Sequence, residues 1–440
     1  MLLNISCGCS CKIEDMEKLL ILGSDFGTIS VVKEAHKKRM YVIVADSMEW
    51  SPSKAEANEA WLLSTTDLDE LEKKCKEVQV TAIMFGASDF NISNCRVLCK
   101  RLNLPIYCDN DQTWEIVRDK RIFKNICKKV GAPIATDYEF TDDMLECFSE
   151  KINYPVVVKP SDKSGNRGMS FCADKEELRT AYHKAREISD KSIIVERQLI
   201  GDEYNVHYVL AEGVARLLYF SSTHHEPGCE SNLYSFKCTT SNHLKQYIDE
   251  VNESVKRVFS EAGCKEGIVW VDVMRDKDGK FYLLEMGYRF GGVMTYRPYE
   301  KVSGFNTINW MLDVARGKKH TIADMPKELN QAYQGCAASY HLFTKHGGIA
   351  TEVNGIEELE AMEDVFVDMP KRSGSPVREK ATMGLIGIYG KNIEDMCTKI
   401  AAVNCVLDVK DEEGKPLVIK YDDYEALRDE YFSGINQFNY

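Results

Sequence analysis

Residues 267–285 encode a β-hairpin whose two apolar arms each carry one carboxylate. Gly267 to Val273 reads as a strand and Phe281 to Glu285 as its return. The Asp276-Lys277-Asp278-Gly279 turn between two alternating strands is a strong hairpin signal. Asp272 stands between Val271 and Val273, and Glu285 follows Tyr282-Leu283-Leu284. Carboxylates in such apolar settings are seldom buried without a partner. Two of them converging across a hairpin suit a hard divalent cation such as Mg²⁺. The alternative is a structural ion pair with an arginine or lysine.

The rest of the chain can bury such a hairpin. It has 440 residues, 44% of them hydrophobic and 28% charged, enough for a full core spread over several domain-sized units. Lys18 to Gly23, Tyr41 to Ala45 and Thr81 to Phe85 read as buried strands separated by helices, the rhythm of a parallel sheet. Gly23 and Gly27 flank a tight turn after the first strand, without the GxGxxG spacing. That turn, and Asp46 at the end of the second strand, read either as part of a nucleotide site or as plain strand ends. Expected boundaries are a disordered extension over 1–15, an α/β unit over 16–109, a core over 110–315 with a lid near 140–200, and a C-terminal lobe over 316–440. A helix is predicted over Thr113–Val130. Asn354 is expected to cap a short helix from Ile356 to Met362.

Composition excludes some classes. The net charge of −13, from 56 Lys plus Arg and 69 Asp plus Glu, argues against a broadly basic nucleic-acid binder. No run approaches the ~20 apolar residues of a membrane helix, and no charged-then-apolar leader opens the chain. A reducing cytoplasm fits the 16 cysteines. Most are scattered singly on apolar segments, such as Cys127, Cys264, Cys336 and Cys405. Cys7, Cys9 and Cys11 have no second cluster with metal-site spacing.

Three further features accompany the hairpin. Lys120 lies on a helix, and Lys159 ends the apolar strand Pro155-Val-Val-Val-Lys159, ahead of a loop with Gly165, Arg167 and Gly168. Small residues admit phosphate oxygens to backbone N–H groups, and lysines neutralise their charge. The Gly-Lys-Ser/Thr end of a Walker loop is missing, and a lysine ending a strand is also common at surfaces. Glu196-Arg197-Gln198-Leu199 leads to Glu203; such a crossing can read an adenine edge and a ribose hydroxyl, or be only an acidic loop. Arg289, followed by Phe290-Gly291-Gly292, can bind a transferring phosphoryl group in bidentate fashion, or be a surface arginine beside a glycine turn.

Together these stretches resemble the ATP-grasp enzymes, in the branch with carbamoyl-phosphate-synthase-like domains and carboxylate–amine ligases. The likeness is carried by Asp119-Lys120, Tyr154 to Pro160, Ser164 to Met169, Glu196 to Glu203, Asp272, and Leu284-Glu285-Met286-Gly287-Tyr288-Arg289-Phe290-Gly291-Gly292. It implies an α/β ATP-grasp fold with an N-terminal parallel-sheet domain and a C-terminal α+β lobe. Lys120 and Lys159 would hold ATP phosphates under the 165–168 loop. Glu196 to Leu199 would line adenine and Glu203 the ribose. Asp272 and Glu285 would hold Mg²⁺, with Mn²⁺ as an alternative, and Arg289 would stabilise the transferred phosphoryl group.

One position departs from the pattern. The family commonly reads Glu-x-Asn-x-Arg, and Gly287 stands where the Asn would be. Glycine offers no ligand, so an ATP- or ADP-binding regulatory protein remains an alternative. Asn at 287 should raise turnover if the missing ligand is the only fault. A biotin-carboxylase-like or carbamoyl-phosphate-synthase-like phosphorylating enzyme is the other alternative, although Phe-Gly-Gly-Val-Met-Thr-Tyr after Arg289 departs from the carboxylases.

The leading expectation is a ligase that activates a carboxylate as an acyl phosphate and joins it to an amine. Its partners would be small molecules, with no nucleic acid and no membrane, and the resemblance favours a homodimer. Arg297 is a candidate for a substrate carboxylate. His224, His225 and Glu226 are candidates for orienting an amine, and Gly291 and Gly292 for close backbone approach.

Overall fold

The computed structural model describes residues 16–49, 51–138, 140–145, 152–163, 165–225, 234–291, 296–369 and 374–438. The expected extension with Cys7, Cys9 and Cys11 lies outside them, as do Glu226 and Gly292. The chain forms two compact units, residues 1–106 with 308–319, and residues 107–307 with 320–440.

The first unit is built on strands β1 (Lys18–Leu22), β2 (Tyr41–Asp46), β3 (Glu59–Leu62) and β4 (Ala82–Phe85), parallel throughout and ordered β3-β2-β1-β4. Leu19, Leu20, Ile21 and Leu22 are fully buried, as expected for a continuous apolar run covered on both faces, each side chain stabilising by about 2 kcal/mol. The helices Leu68–Val78 and Asp89–Leu102 begin at Asp67 and Ser88, whose side chains accept from backbone N–H groups. Each such cap contributes about 1 kcal/mol. The segment Ile308–Lys319 belongs here through Asp313–Lys38 (2.9 Å) and Arg316–Glu17 (2.7 Å).

The glycine turn of this unit is a plain strand end. A Cβ on Gly23 would lie 2.0 Å from the Asn91 amide nitrogen, and one on Gly86 would lie 2.2 Å from the Asp25 carboxylate. Asp25 and Asn91 therefore fill the crevice, and Asp46 accepts from the Ser24 and Met48 backbone N–H groups.

Among the described residues the second unit holds two large sheets and two small ladders. A four-stranded sheet combines β5 (Asp137–Tyr138), β6 (Val156–Pro160), β7 (Ser170–Cys172) and β8 (Ile193–Arg197) in the order β5-β8-β6-β7. Val156, Val158 and Val195 face the helix Lys175–Ile188 through Leu178 and Tyr182. An eight-stranded sheet contains β9 (Gly201–Ala211), β10 (Val214–His225), β11 (Tyr234–Thr239), β12 (Gly267–Asp276), β13 (Phe281–Gly287), β14 (Cys336–Phe343), β17 (Val365–Asp368) and β19 (Thr382–Gly390). Its order is β13-β12-β9-β10-β11-β14-β19-β17. Two small ladders pair β15 (Gly348–Ala350) with β18 (Ser375–Val377) and β16 (Glu352–Asn354) with β20 (Asp408–Lys410).

Where the sequence suggests a separate lobe from 316, β14 pairs with β11 and carries the sheet onward, Phe236 opposite Tyr340. The core around Tyr340, Ile386 and Ile400 grows from that shared sheet. The expected helix over Thr113–Val130 is two helices, Asp111–Arg118 and Lys120–Val130. Asp119 breaks it by leaving helical geometry and capping the second helix. The short helix Ile356–Glu360 is capped by Gly355 at φ 91°, one residue later than expected. Cys127, Cys264 and Cys336 are buried and free as expected, whereas Cys405 is exposed. Among the described residues no helix is long and apolar enough to cross a membrane.

Candidate active site

A cavity of about 360 Å³ lies within the second unit between the two sheets. One wall comes from the four-stranded sheet and its loop: Val157, Lys159, Gly165, Met169, Phe171, Glu196 and Leu199. The opposite wall comes from the eight-stranded sheet: Glu203, Asn205, Lys237, Trp270, Asp272, Met274 and Glu285, followed by Arg289 and Gly291. Lys120 also lines the cavity.

Local sequence places the two lysines. Asp119 accepts from the Arg121 and Ile122 N–H groups and from Ser161 Oγ at 2.8 Å, and Lys120 N–H donates to Ser161 O at 2.9 Å. The cap thus clamps the start of the Lys120 helix to the loop that follows β6. Lys120 Nζ then reaches Glu285 at 2.7 Å and Lys163 O at 2.7 Å. Lys159 Nζ lies 2.5 Å from Glu196 Oε1. The other oxygen of Glu196 pairs with Lys124, which is fully buried. Burial pushes the Glu196 carboxyl up, but the charges of Lys159 and Lys124 overcome this and hold it at about 2.

The carboxylate wall follows from strand register. Asp272 lies opposite Glu285 on one side and Asn205 on the other, so the three share one face of the sheet. Asn205 Nδ2 donates to Asp272 at 2.5 Å, and its Oδ1 lies 2.5 Å from His207 Nε2. Burial, aided by the nearby charges of Glu285 and Glu203, pushes the Asp272 carboxyl up to about 7 against the opposing pull of Lys237 and Asn205. Crowded, desolvated carboxylates of this kind are relieved by a divalent cation. Among the described residues no group of three His, Cys, Asp or Glu side chains is arranged for a metal. An ion here would therefore rest on Asp272 and Glu285, with the remaining ligands supplied by water or a bound anion.

That pair predicts a pH signature. The folded carboxyl of Asp272 titrates near 7, above the ~3.9 of an unfolded aspartate. The folded state then binds the extra proton between these values, so metal-free stability falls as pH rises through that window. Added Mg²⁺ competes with the proton and offsets the fall most above the upper value. Thermal unfolding of the metal-free chain from pH 5 to 8, with and without Mg²⁺, tests this; a Mg²⁺ effect equal at both ends contradicts it.

Gly287 is explained by its neighbour. A Cβ there would lie 2.3 Å from two carbons of the Trp270 indole, which stands directly across the ladder. The same ring lies under the Arg289 guanidinium, 5.1 Å from ring centroid to Cζ. Trp270 thus fills the space into which a side chain at 287 would project, so an Asn at 287 is not the simple repair the sequence suggests. Gly287→Ala is expected to destabilise the chain by about 1–3 kcal/mol through overpacking. Denaturant unfolding measures this, and an unchanged midpoint would contradict the packing account.

Of the predicted residues, Lys120, Lys159, Gly165, Glu196, Leu199, Glu203, Asp272, Glu285, Arg289 and Gly291 come together around the cavity. Arg167 is exposed and does not line it. Gly168, at φ +77°, faces Ile188, whose Cδ1 would lie 2.4 Å from a Cβ; its role is to let the loop pack. Arg297 does not line the cavity; it pairs with Asp368 at 3.3 Å and covers the Phe366 ring. His224 is also outside, held by Glu430 at 3.1 Å and Ser222 at 2.9 Å. His225 stands 3.6 Å from Glu203 but does not line the cavity.

Sequence reading missed Lys237, Asn205, Trp270 and Lys124. Lys237 lies in the strand Tyr-Ser-Phe-Lys-Cys-Thr and is buried. A charge inside an apolar strand, the signal that marks Asp272, marks it equally.

The ATP-grasp domain family matches residues 152–297. The chain is 29% identical over 196 residues to D-alanine–D-alanine ligase of Neisseria gonorrhoeae, covering 42% of this chain and 62% of that protein. It is 23% identical over 309 residues to the alpha subunit of mitochondrial methylcrotonoyl-CoA carboxylase of Mus musculus, covering 66% of this chain and 41% of that protein. The matched stretches are thus less than two thirds of either relative's length. In fold it is similar to L-amino acid ligase from Bacillus licheniformis, with a TM-score of 0.73 and 18% identity over 90% of this chain and 99% of that one. The architecture, the cavity between the two large sheets and the matched domain agree: residues 152–297 match the ATP-grasp domain, and the chain has an ATP-grasp fold.

Proposed function

We propose that this chain is an ATP-dependent carboxylate–amine ligase that releases ADP and phosphate. The observation that carries the reading is the single cavity bounded by Lys120, Lys159 and Arg289 on one hand and Asp272 and Glu285 on the other. Cations and acids gathered at one place suit a polyphosphate and its metal. The likeness to two ligases that act on amino acids supports an amino-acid substrate.

Val157, Met169, Phe171, Leu199 and Met274 supply an apolar slot for the base, and Glu203 would accept from a ribose hydroxyl. Lys120 and Lys159 bind phosphate oxygens. Mg²⁺ held by Asp272 and Glu285 would neutralise charge on the terminal phosphates. The substrate carboxylate oxygen attacks the γ-phosphorus, the bond to the β-phosphate oxygen breaks, and ADP leaves. Arg289 stabilises the charge spread over the transferring group. The amine nitrogen then attacks the acyl carbon, phosphate leaves, and the amine loses a proton. Lys237, on the same wall as Arg289, would hold the incoming carboxylate. Glycines at 165 and 168, with φ of +63° and +77°, give the loop the turns needed to cover the nucleotide and exclude water.

The test is ADP and phosphate release with Mg²⁺ and ATP, screened over pools of amino acids and small carboxylates, with and without amines. Equal release that requires a carboxylate–amine pair, with a condensed product in the mass spectrum, is expected. Tight MgATP binding with no release in any pool would favour a nucleotide-binding regulator, the reading that Gly287 supports. Release driven by bicarbonate alone would favour carboxylase-like chemistry, which the alignment with methylcrotonoyl-CoA carboxylase supports.

A further inference from the structure

We propose that Lys124, which lies outside the cavity, is the resident counter-ion of Glu196 and thereby frees Lys159 to serve a nucleotide phosphate. The inference rests on the nucleotide reading of the cavity given above. It makes Lys124 a positioning residue, because it acts only through Glu196 and Lys159.

The geometry is asymmetric. Glu196 gives one oxygen to Lys159 and the other to Lys124. Lys159 and Glu196 line the cavity, and Lys124 does not. Lys124 sits on the buried face of the helix Lys120–Val130, beside Phe123 and Cys127, with no exposure to solvent. Lysine is rarely placed so deeply without a specific anionic partner.

Charge explains why two lysines share one carboxylate. A buried carboxylate with a single cation holds it tightly, because departure of the cation leaves an uncompensated charge in a poorly solvated place. Lys159 alone on Glu196 would be locked. With Lys124 fixed on the second oxygen, the triad carries one net positive charge. Lys159 can then swing to a phosphate and leave a neutral Lys124–Glu196 pair behind. The alternative is that Lys124 only anchors its helix to β8.

Limited acetylation separates these. The full-length protein is treated with acetic anhydride without nucleotide, and modification at Lys159 is read by peptide mass spectrometry. MgATP affinity is measured on the same samples by calorimetry. Lys124→Met should lower both the reactivity of Lys159 and the MgATP affinity by about tenfold, the equivalent of one pKa unit of added ion pairing. Adding Glu196→Gln to that variant should restore the reactivity of Lys159, since the carboxylate that traps it is gone. An anchoring role predicts unchanged Lys159 reactivity in K124M and no recovery of that reactivity in the double variant, and either result overturns the proposal. If K124M does not fold, Lys124→Gln replaces it; a wild-type reactivity of Lys159 in that variant also overturns it. The acetylation readout needs no nucleotide. A wild type that binds no MgATP therefore refutes the nucleotide reading, while Lys159 reactivity still decides what Lys124 does.

Discussion

Asp272→Asn is expected to lower ATP turnover by about a thousandfold while raising the thermal stability of the metal-free protein at pH 8. The first effect follows from the loss of one of the two carboxylates available to a metal, an interaction that supplies several kcal/mol of charge stabilisation, or about 10³ in rate. The second follows from the crowding that lifts the Asp272 carboxyl to about 7. Above that value the metal-free fold carries a carboxylate it would hold more easily as a neutral group. Asparagine keeps the shape and can still accept the hydrogen bond now donated by Asn205. Opposite signs for activity and stability distinguish loss of a metal site from loss of fold. Melting curves and steady-state rates on one preparation give both numbers, and a variant that is both less active and less stable would speak for a structural role instead.

Lys159→Met is expected to reduce kcat/KM for ATP by about 10²–10³, the range measured when a donor is removed from a developing charge, with little change in stability. Glu196 keeps Lys124 as a partner in that variant, so no buried carboxylate is left alone. Loss of both partners would behave differently, since an orphaned buried charge costs about 3–5 kcal/mol. Chemical denaturation of K159M beside the double variant K159M/K124M checks this contrast. Equal unfolding midpoints would contradict the charge account of the triad.

The residues that were legible in the sequence share one trait: a local anomaly. Asp272 and Glu285 are charges in apolar strands, and Lys159 ends a run of valines. The hairpin, the parallel sheet of the first unit and the loop glycines all carry signals within a few neighbours. What escaped depends on pairing between distant segments. Lys124 and Glu196 meet across a helix and a strand, and Trp270 reaches Gly287 through ladder register. Arg297 and His224 looked free in sequence because their partners, Asp368 and Glu430, lie in the C-terminal segment. The same segment appeared to be a separate lobe because its link to the core is the pairing of β11 with β14. Asp119 shows a finer limit. Read along a helix it is one more polar residue, whereas in the fold it ends one helix and starts the next.

On the proposed reading, a substrate carboxylate is phosphorylated in this cavity before an amine displaces the phosphate. Transfer of ¹⁸O tests it most directly. A carboxylate substrate identified by the screen, labelled with ¹⁸O in its carboxyl group, is turned over with MgATP and the amine, and the released phosphate is analysed by mass spectrometry. Acyl phosphate chemistry moves one labelled oxygen into each phosphate formed, and D272N and K159M slow the appearance of labelled phosphate in proportion to their rates. Phosphate released with amide product but without the label would contradict the account.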